Sequence, residues 1–398
     1  MGPGGDKQRL IGVLAVQRKY VAPVAGALLA VAVATALLAY FLLRSPAQPR
    51  LTLTPAQFAD LPGWRNDPVA EAVPAFLRSC AHYLSKADDA PLDSGPTKPG
   101  LGRPDFGTVG EWRPACTAAA ALPAGNDDAA RRFFEAAFTP QLAGNTGAAD
   151  GLFTGYFEIT LEGSPHRGGR FQTPLYRRPP DPDRNSRAEI EDGALAGQGL
   201  ELVWVDNPID AFFLEIQGSG IVRLPKGGTM RVGYDGGNGR AYVPVGRLLI
   251  ERGVIPREKM TMTAIRDWMQ AHPQEGAALR RENPSYIFFR AIKGPGPVGA
   301  EHVVLTPQRS LAVDRAFLGF GLPIWLDAQE RFGTGEHRRL VIAQDTGGAI
   351  KGPVRGDLFW GDGKAAAESA GAMNARGRYW LLLPKAVAER LVQTVAAR

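Results

Sequence analysis

Ala343-Gln-Asp-Thr-Gly-Gly-Ala-Ile-Lys-Gly352 is followed, two residues on, by Arg355-Gly-Asp-Leu-Phe-Trp-Gly361. The run RLVIAQ at 339–344 reads as a strand that delivers Asp345 at its end. The paired glycines after it let the backbone approach a sugar or another chain closely. Asp357 then stands beside two aromatic residues, Phe359 and Trp360. Carboxylates with a nearby ring and exposed glycines suit a sugar-cleaving cleft, where a ring packs on a sugar face and polar groups meet its hydroxyls. A plain turn in which Asp345 caps backbone N–H groups is the other reading, since Asp and Gly are common turn residues.

Around this stretch lie short apolar runs: HVVLT at 302–306, SLAVD at 310–314, LPIWL at 322–326 and RYWLLLP at 378–384. Short strands at close spacing predict a closed barrel rather than a doubly wound sheet. Upstream, GLFTGYFEITLEG at 151–163, LELVWV at 200–205 and AFFLEIQGSGIVRL at 211–224 also read as strands. MRVGYDGGNGRAYVPVG at 230–246 reads as a hairpin with a Gly-Asn-rich turn. Helices are predicted over 74–86, from Asn126 or Asp127, at the Ser186–Glu189 capping box, and over 247–253 and 263–271, with 87–110 as loop.

The chain has 398 residues, room for two domains and a tether. Its 48 glycines and 32 prolines favour turns and a β-rich fold. A formal charge of +6 suits an anionic partner, but no Lys/Arg run interleaved with aromatics points to nucleic acid. The two cysteines, Cys80 and Cys116, exclude a Cys-rich scaffold and leave open whether they pair or stay separate. None of His82, His166, His272, His302 and His337 lies at a metal-ligand spacing, and no Walker A loop or GxSxG elbow occurs, so neither a metal nor a cofactor is expected.

Residues 21–43 carry no charge over 23 positions, about 34 Å as a helix, enough to span a bilayer core. Lys7, Arg9, Arg18 and Lys19 hold the short flank inside, so everything after Arg44 is exported. No cysteine follows that could carry a lipid, which predicts a single-pass inner-membrane anchor with the catalytic part in the periplasm.

The sequence resembles the membrane-bound lytic murein transglycosylase A family. The resemblance rests on TGYFEI at 154–159, Tyr176-Arg177, SRAEIEDGAL at 186–195, AFFLEIQGSG at 211–220, YDGGNGRAY at 234–242, NPSYIFF at 283–289, LAVDR at 311–315 and the two opening stretches. These segments run in order from about residue 150 to 380. The last ones look like a module named for three aspartates, here Asp314, Asp345 and Asp357. The implied fold is mainly β with flanking helices. It comprises a double-psi β-barrel from 61–153 with 297–398 and an inserted β-domain (154–296) across the glycan groove, and these follow the cytoplasmic N-terminus (1–20), transmembrane helix (21–43) and linker (44–60) read from the residues themselves. Two departures stand out: Gly319-Phe-Gly-Leu-Pro323 replaces the family's Pro-Pro-Gly-Thr, and a transmembrane helix replaces the lipid anchor common in close relatives.

The resemblance further implies cleavage of the β-1,4 bond between N-acetylmuramic acid and N-acetylglucosamine in peptidoglycan, leaving 1,6-anhydro ends. Asp357 would be the acid and base, Asp345 its electrostatic support and Asp314 a structural aspartate. Thr154, Gly155, Tyr156, Gln217, Gly218, Ser219, Gly220, Tyr234, Asn238, Gly347, Lys351 and Phe359 would bind the strand, and cell-wall synthases are candidate partners. A QGSG that is merely a turn, a muramidase that uses water, and a non-catalytic wall-binding module are the competing readings.

Overall fold

The structure of the protein, a computed structural model, describes residues 48–93, 95, 101, 103–294, 296–331 and 335–396. The apolar stretch at 21–43 lies outside them, and among the described residues no helix is long and apolar enough to cross a membrane.

The chain opens with β1 (Leu51–Pro55), then α1 (Val73–Tyr83), α2 (Val109–Ala120) and α3 (Asp127–Ala137). β1 corrects the reading of 44–60 as linker throughout: Leu51-Thr-Leu-Thr54 alternates apolar and β-branched residues, and the segment pairs with the strand that follows α3. α2 was not foreseen. A capping box between Thr108 and Glu111 starts it, and Pro114 and a run of small residues obscure its pattern. α3 starts where the sequence predicts, with the Asn126 side chain accepting from Ala129 N–H. Cys80 on α1 and Cys116 on α2 form a disulfide, which settles the question the spacing left open.

Next come β2 (Phe138–Asn145), β3 (Gly151–Ser164), β4 (Thr173–Tyr176), α4 (Arg187–Glu191), β5 (Glu201–Val205), α5 (Pro208–Gln217), β6 (Ser219–Arg223), β7 (Thr229–Gly237), α6 (Val245–Glu251), α7 (Met262–Ala271), α8 (Pro273–Arg281) and β8 (Ile287–Ile292). The run at 211–217, read as strand, is helical. Asn207 caps Ile209 N–H, Pro208 occupies the first turn, and Gly218 ends the helix at φ 82. A continuous apolar run, buried from Ala211 to Leu214, gives no period to read, so the caps decide it. The Gly-Asn hairpin turn at 230–246 is also corrected. β6 and β7 turn at 224–228 instead, where Leu224 N–H donates to Gly228 O, and the chain leaves β7 for α6. With five helices between β4 and β8, this part is mixed α/β rather than the β-domain expected.

The chain closes with β9 (Ser310–Val313), β10 (Pro323–Glu330), β11 (Glu336–Asp345), β12 (Arg355–Asp362), α9 (Gly363–Ala372), β13 (Asn374–Pro384) and α10 (Lys385–Ala396). HVVLT forms no strand, only an isolated bridge between Val298 and Val304. The hydrogen-bonded order runs β13-β10-β11-β9-β12-β3, and β3 pairs back onto β13, so this path closes on itself. β3 lies parallel to β12 and, farther along, parallel to β6. The fold is therefore mainly β with helices.

Two large cores result. One holds Phe76, Trp112, Phe134, Trp325 and Tyr379, the other Phe212, Val222, Val232, Leu249 and Met269, each nearly or wholly buried. β3 contributes to both, through Phe153 to the first and Ile159 and Leu161 to the second.

Candidate active site

Parallel pairing sets Asp357 of β12 against Thr154 of β3, and antiparallel pairing sets it against Ala312 of β9. Asp345, at the end of β11, faces the same Ala312 from the other side. The two aspartates therefore flank one short strand at one level, with backbones two strand spacings apart, on the order of 10 Å. Beneath them Tyr156, Leu305, Ala312, Ile350 and Phe359 form a small buried cluster separate from either large core. The rings of Tyr156 and Phe359 lie 5.2 Å apart within it.

The two carboxyls differ in how they are held. At Asp345, Ala300 N–H and Thr346 N–H donate to Oδ1, and the Tyr156 hydroxyl donates to Oδ2, all at 2.8–2.9 Å. At Asp357, Thr154 Oγ1 donates to Oδ1 at 2.6 Å, and Arg355 in turn donates to Thr154 Oγ1 at 2.7 Å. Asp357 Oδ2 has no hydrogen-bond partner among the described residues. Burial pushes both carboxyls above the usual range. The three donors pull Asp345 back, and the Arg355 charge with the Thr154 hydroxyl pulls Asp357 back.

Asp314 works through its backbone partners. Its Oδ2 accepts from Gly352 N–H at 2.7 Å and its Oδ1 from Ala316 N–H at 3.0 Å, while Thr346 Oγ1 donates to Val313 O at 2.8 Å. The glycine-rich loop is thus tied at both ends to β9 and the turn after it. Lys351 is exposed on that loop and Gly347 half-buried. Gly155 packs against Trp360, whose indole a Cβ there would meet at 2.6 Å.

The other expected strand-binding residues are spread differently. Gln217 is buried, and its Oε1 accepts from Phe157 N–H, locking α5 to β3. Gly218 ends α5, Ser219 is buried, and Gly220 lies against Leu214 and Ile159. Asn238 is buried, with its amide shared among Asn185 O, Pro284 O and Tyr286 N–H. Tyr234 is 58% exposed. No group of three or more histidine, cysteine or acidic side chains that could hold a metal occurs among the described residues.

Behind Asp345 lies a buried acid that sequence reasoning missed. Glu301 is 1% exposed, and its Oε2 accepts from Ser79 Oγ at 2.6 Å. Gln344 donates to the same Ser79 oxygen. Glu301 Oε1 has no partner. Burial pushes the carboxyl up to about 8 from 4.5. Between these values the folded state holds a proton that the unfolded state has released. The stability from the neutral acid is therefore complete below about pH 4.5 and is lost as pH rises through about 8. We expect Glu301→Gln to flatten the fall of the unfolding free energy between pH 5 and 9, by a few kcal/mol at roughly 1.4 per pKa unit. Parallel pH slopes for the two proteins in urea titrations would refute it.

A family described as the MltA specific insert domain matches residues 152–290, and one described as the 3D domain matches residues 309–383. A Vibrio cholerae protein, membrane-bound lytic murein transglycosylase A, is 40% identical over 250 residues, covering 61% of this chain and 68% of that protein. The crystal structure of a membrane-bound lytic murein transglycosylase from Agrobacterium tumefaciens aligns with a TM-score of 0.74 at 32% identity, covering 85% of this chain and all but 1% of that one (99%). Escherichia coli MltA with bound chitohexaose aligns at 0.66 and 29% identity, covering 86% and 97%.

Proposed function

The chain belongs to the membrane-bound lytic murein transglycosylase A family, and from that premise we propose that Asp357 is the acid and base of its reaction. The protein is a peptidoglycan lytic transglycosylase, a membrane-associated enzyme of the periplasm. The asymmetry between the two carboxyls carries the assignment of roles. Asp345 receives three donors over both oxygens, an arrangement that favours its ionised form and leaves little capacity to exchange a proton. Asp357 keeps one oxygen free, and burial favours the protonated form that an acid needs on meeting substrate.

In this reading Asp357 gives its proton to the glycosidic oxygen as the bond to C1 breaks. Positive charge builds at C1, and the carboxylate form of Asp345, which its three donors favour, would offset it. The ionised Asp357 then removes the proton from the muramic acid C6 hydroxyl, whose oxygen closes onto C1 to give the 1,6-anhydro ring. The attack is intramolecular, with an effective molarity on the order of 10⁵ M or more when well oriented. No water is consumed.

Several finer assignments accompany it. The ring of six strands that closes through β3 and β13 supports a double-psi β-barrel built from 61–153 and 297–398. The second core supports 154–296 as the insert facing it across the glycan groove. Thr154, Gly155 and Tyr156 would sit on the groove floor, with Tyr234 and Lys351 as exposed contacts. The uncharged stretch at 21–43 would be a single inner-membrane anchor, from which the enzyme would also meet cell-wall synthases.

Digestion in ¹⁸O-labelled water tests the chemistry. The expected products carry no label at C1 of the muramic acid end and are one water lighter than hydrolysis products. Substantial ¹⁸O at that carbon, abolished by Asp345→Asn, would replace the lyase with a two-carboxylate muramidase.

A further inference from the structure

Arg280, on the inner face of α8, is 8% exposed, and its side chain has no hydrogen-bond or ion-pair partner among the described residues. It lines a cavity of about 380 Å³ between α4, α5, α8 and strands β4 and β5, away from the paired aspartates. Arg187 in the same wall shows what a satisfied buried arginine looks like here. It donates to both oxygens of Glu215 at 2.7–2.9 Å, to Asn283 O at 3.0 Å and to Ser285 O at 2.6 Å, with Glu191 at 3.4 Å. Arg281 is paired outward with Asp192. The cavity holds four arginines (167, 187, 280, 281) against two glutamates (191 and 215), and Glu215 is spent on Arg187. Its other wall is apolar, with Trp204, Pro208 and Ala211, and Arg167 stacks over the Trp204 ring.

A guanidinium largely withdrawn from water and without a protein partner is costly to keep, and a ligand that pairs with it recovers that cost. A ligand carboxylate suits it, because the planar fork matches two carboxylate oxygens. We propose that this cavity is an anion subsite in which Arg280 binds a carboxylate of a peptide stem on the peptidoglycan strand. The proposal rests on the peptidoglycan reading: the sugar backbone itself offers few charges, whereas the stems end in carboxylates. The apolar wall then takes the alkyl part of the stem. Burial lowers the Arg280 pKa, partly offset by Glu191, as expected of a cation awaiting a partner. β3 joins the two places. It passes Tyr156 at the aspartates and pairs Ser164 with Trp204 at the cavity, eight residues on and about 26 Å away if fully extended. The stem captured there thus belongs to a sugar some distance from the bond being cut.

Muramyl dipeptide, which has one free carboxylate, is the probe, with its amidated form as control and inorganic phosphate as the competing anion. By titration calorimetry the wild type should bind the dipeptide and not the amide, and Arg280→Met should lose about tenfold or more in affinity. The thermal midpoint of Arg280→Met should hold or rise, because an unpartnered buried charge is gone. On strands that keep their stems the variant should raise KM and leave kcat unchanged, and on strands stripped of stems it should match the wild type. Equal dipeptide binding by both proteins, a lowered thermal midpoint, parallel loss on both strands, or phosphate binding as tight as the dipeptide's would each overturn the proposal. Failure of the wild type to cut either strand would instead defeat the transglycosylase reading, and the dipeptide titration would still judge the subsite.

Discussion

Asp357→Asn should lower kcat on peptidoglycan strands by at least ~10²-fold while leaving the protein folded. The substitution preserves shape, and an amide oxygen can still accept the Thr154 hydroxyl that now reaches Oδ1. What disappears is the exchangeable proton. The thermal midpoint should not drop, since the carboxyl is already penalised by burial in the native state. Asp345→Asn offers a useful contrast. An amide can keep its oxygen on the two backbone N–H groups and turn its NH₂ to the Tyr156 hydroxyl, which then accepts instead of donating, so what disappears is the negative charge. We therefore expect Asp345→Asn to lose activity while the fold is retained. Release of anhydro-muropeptides at near wild-type rates by Asp357→Asn, measured by mass spectrometry, would remove it from the centre of the reaction.

The second large effect concerns the disulfide. Cys80–Cys116 closes a loop across 36 positions between α1 and α2. On the chain-entropy estimate, its removal should cost about 4 kcal/mol. Both cysteines are 2% exposed, in a core shared with Trp112, Phe76 and Phe138, so Cys80→Ala/Cys116→Ala also loses packing. A loss of that size is a large share of the stability of an ordinary domain, roughly 5–15 kcal/mol. Urea unfolding of the double variant against the oxidised protein measures it, and coincident curves would show that the bond is dispensable. The bond also fits a protein folded in an oxidising compartment.

Much of the frame could be read from local pattern. The strands that carry Asp314, Asp345 and Asp357 alternate or end on turn residues, and the Asn126 and Ser186 caps announce their helices directly. α5 escaped because Ile209, Ala211, Phe212, Phe213 and Leu214 are buried on every side, which erases the period a helix is known by. At the site, the list of sugar contacts came from the resemblance, and local pattern alone does not yield it. Gln217 and Asn238 have the right chemistry for hydroxyl groups, yet their amides hold backbone segments together. Glu301 and Arg280 went unnoticed for the opposite reason. Nothing local distinguishes them from surface charges, and only tertiary burial gives them their character.

The contacts at the aspartates join distant parts of the chain. Thr154 and Asp357, joined through the parallel β3–β12 ladder, are 203 residues apart, and Tyr156 of β3 and Asp345 of β11 are 189 apart. High contact order of this kind makes folding slow, because loop closure precedes any reward. It also sets an order of events during export. If the part after the anchor crosses in chain order, Thr154 and Tyr156 arrive long before either carboxylate has reached the same side of the membrane. A partly delivered molecule therefore lacks the carboxylates proposed to cut, and a fragment truncated before Arg355 lacks the proposed acid, Asp357. For an enzyme that severs the wall enclosing its own cell, this timing keeps the activity latent until synthesis, transport and folding are all complete.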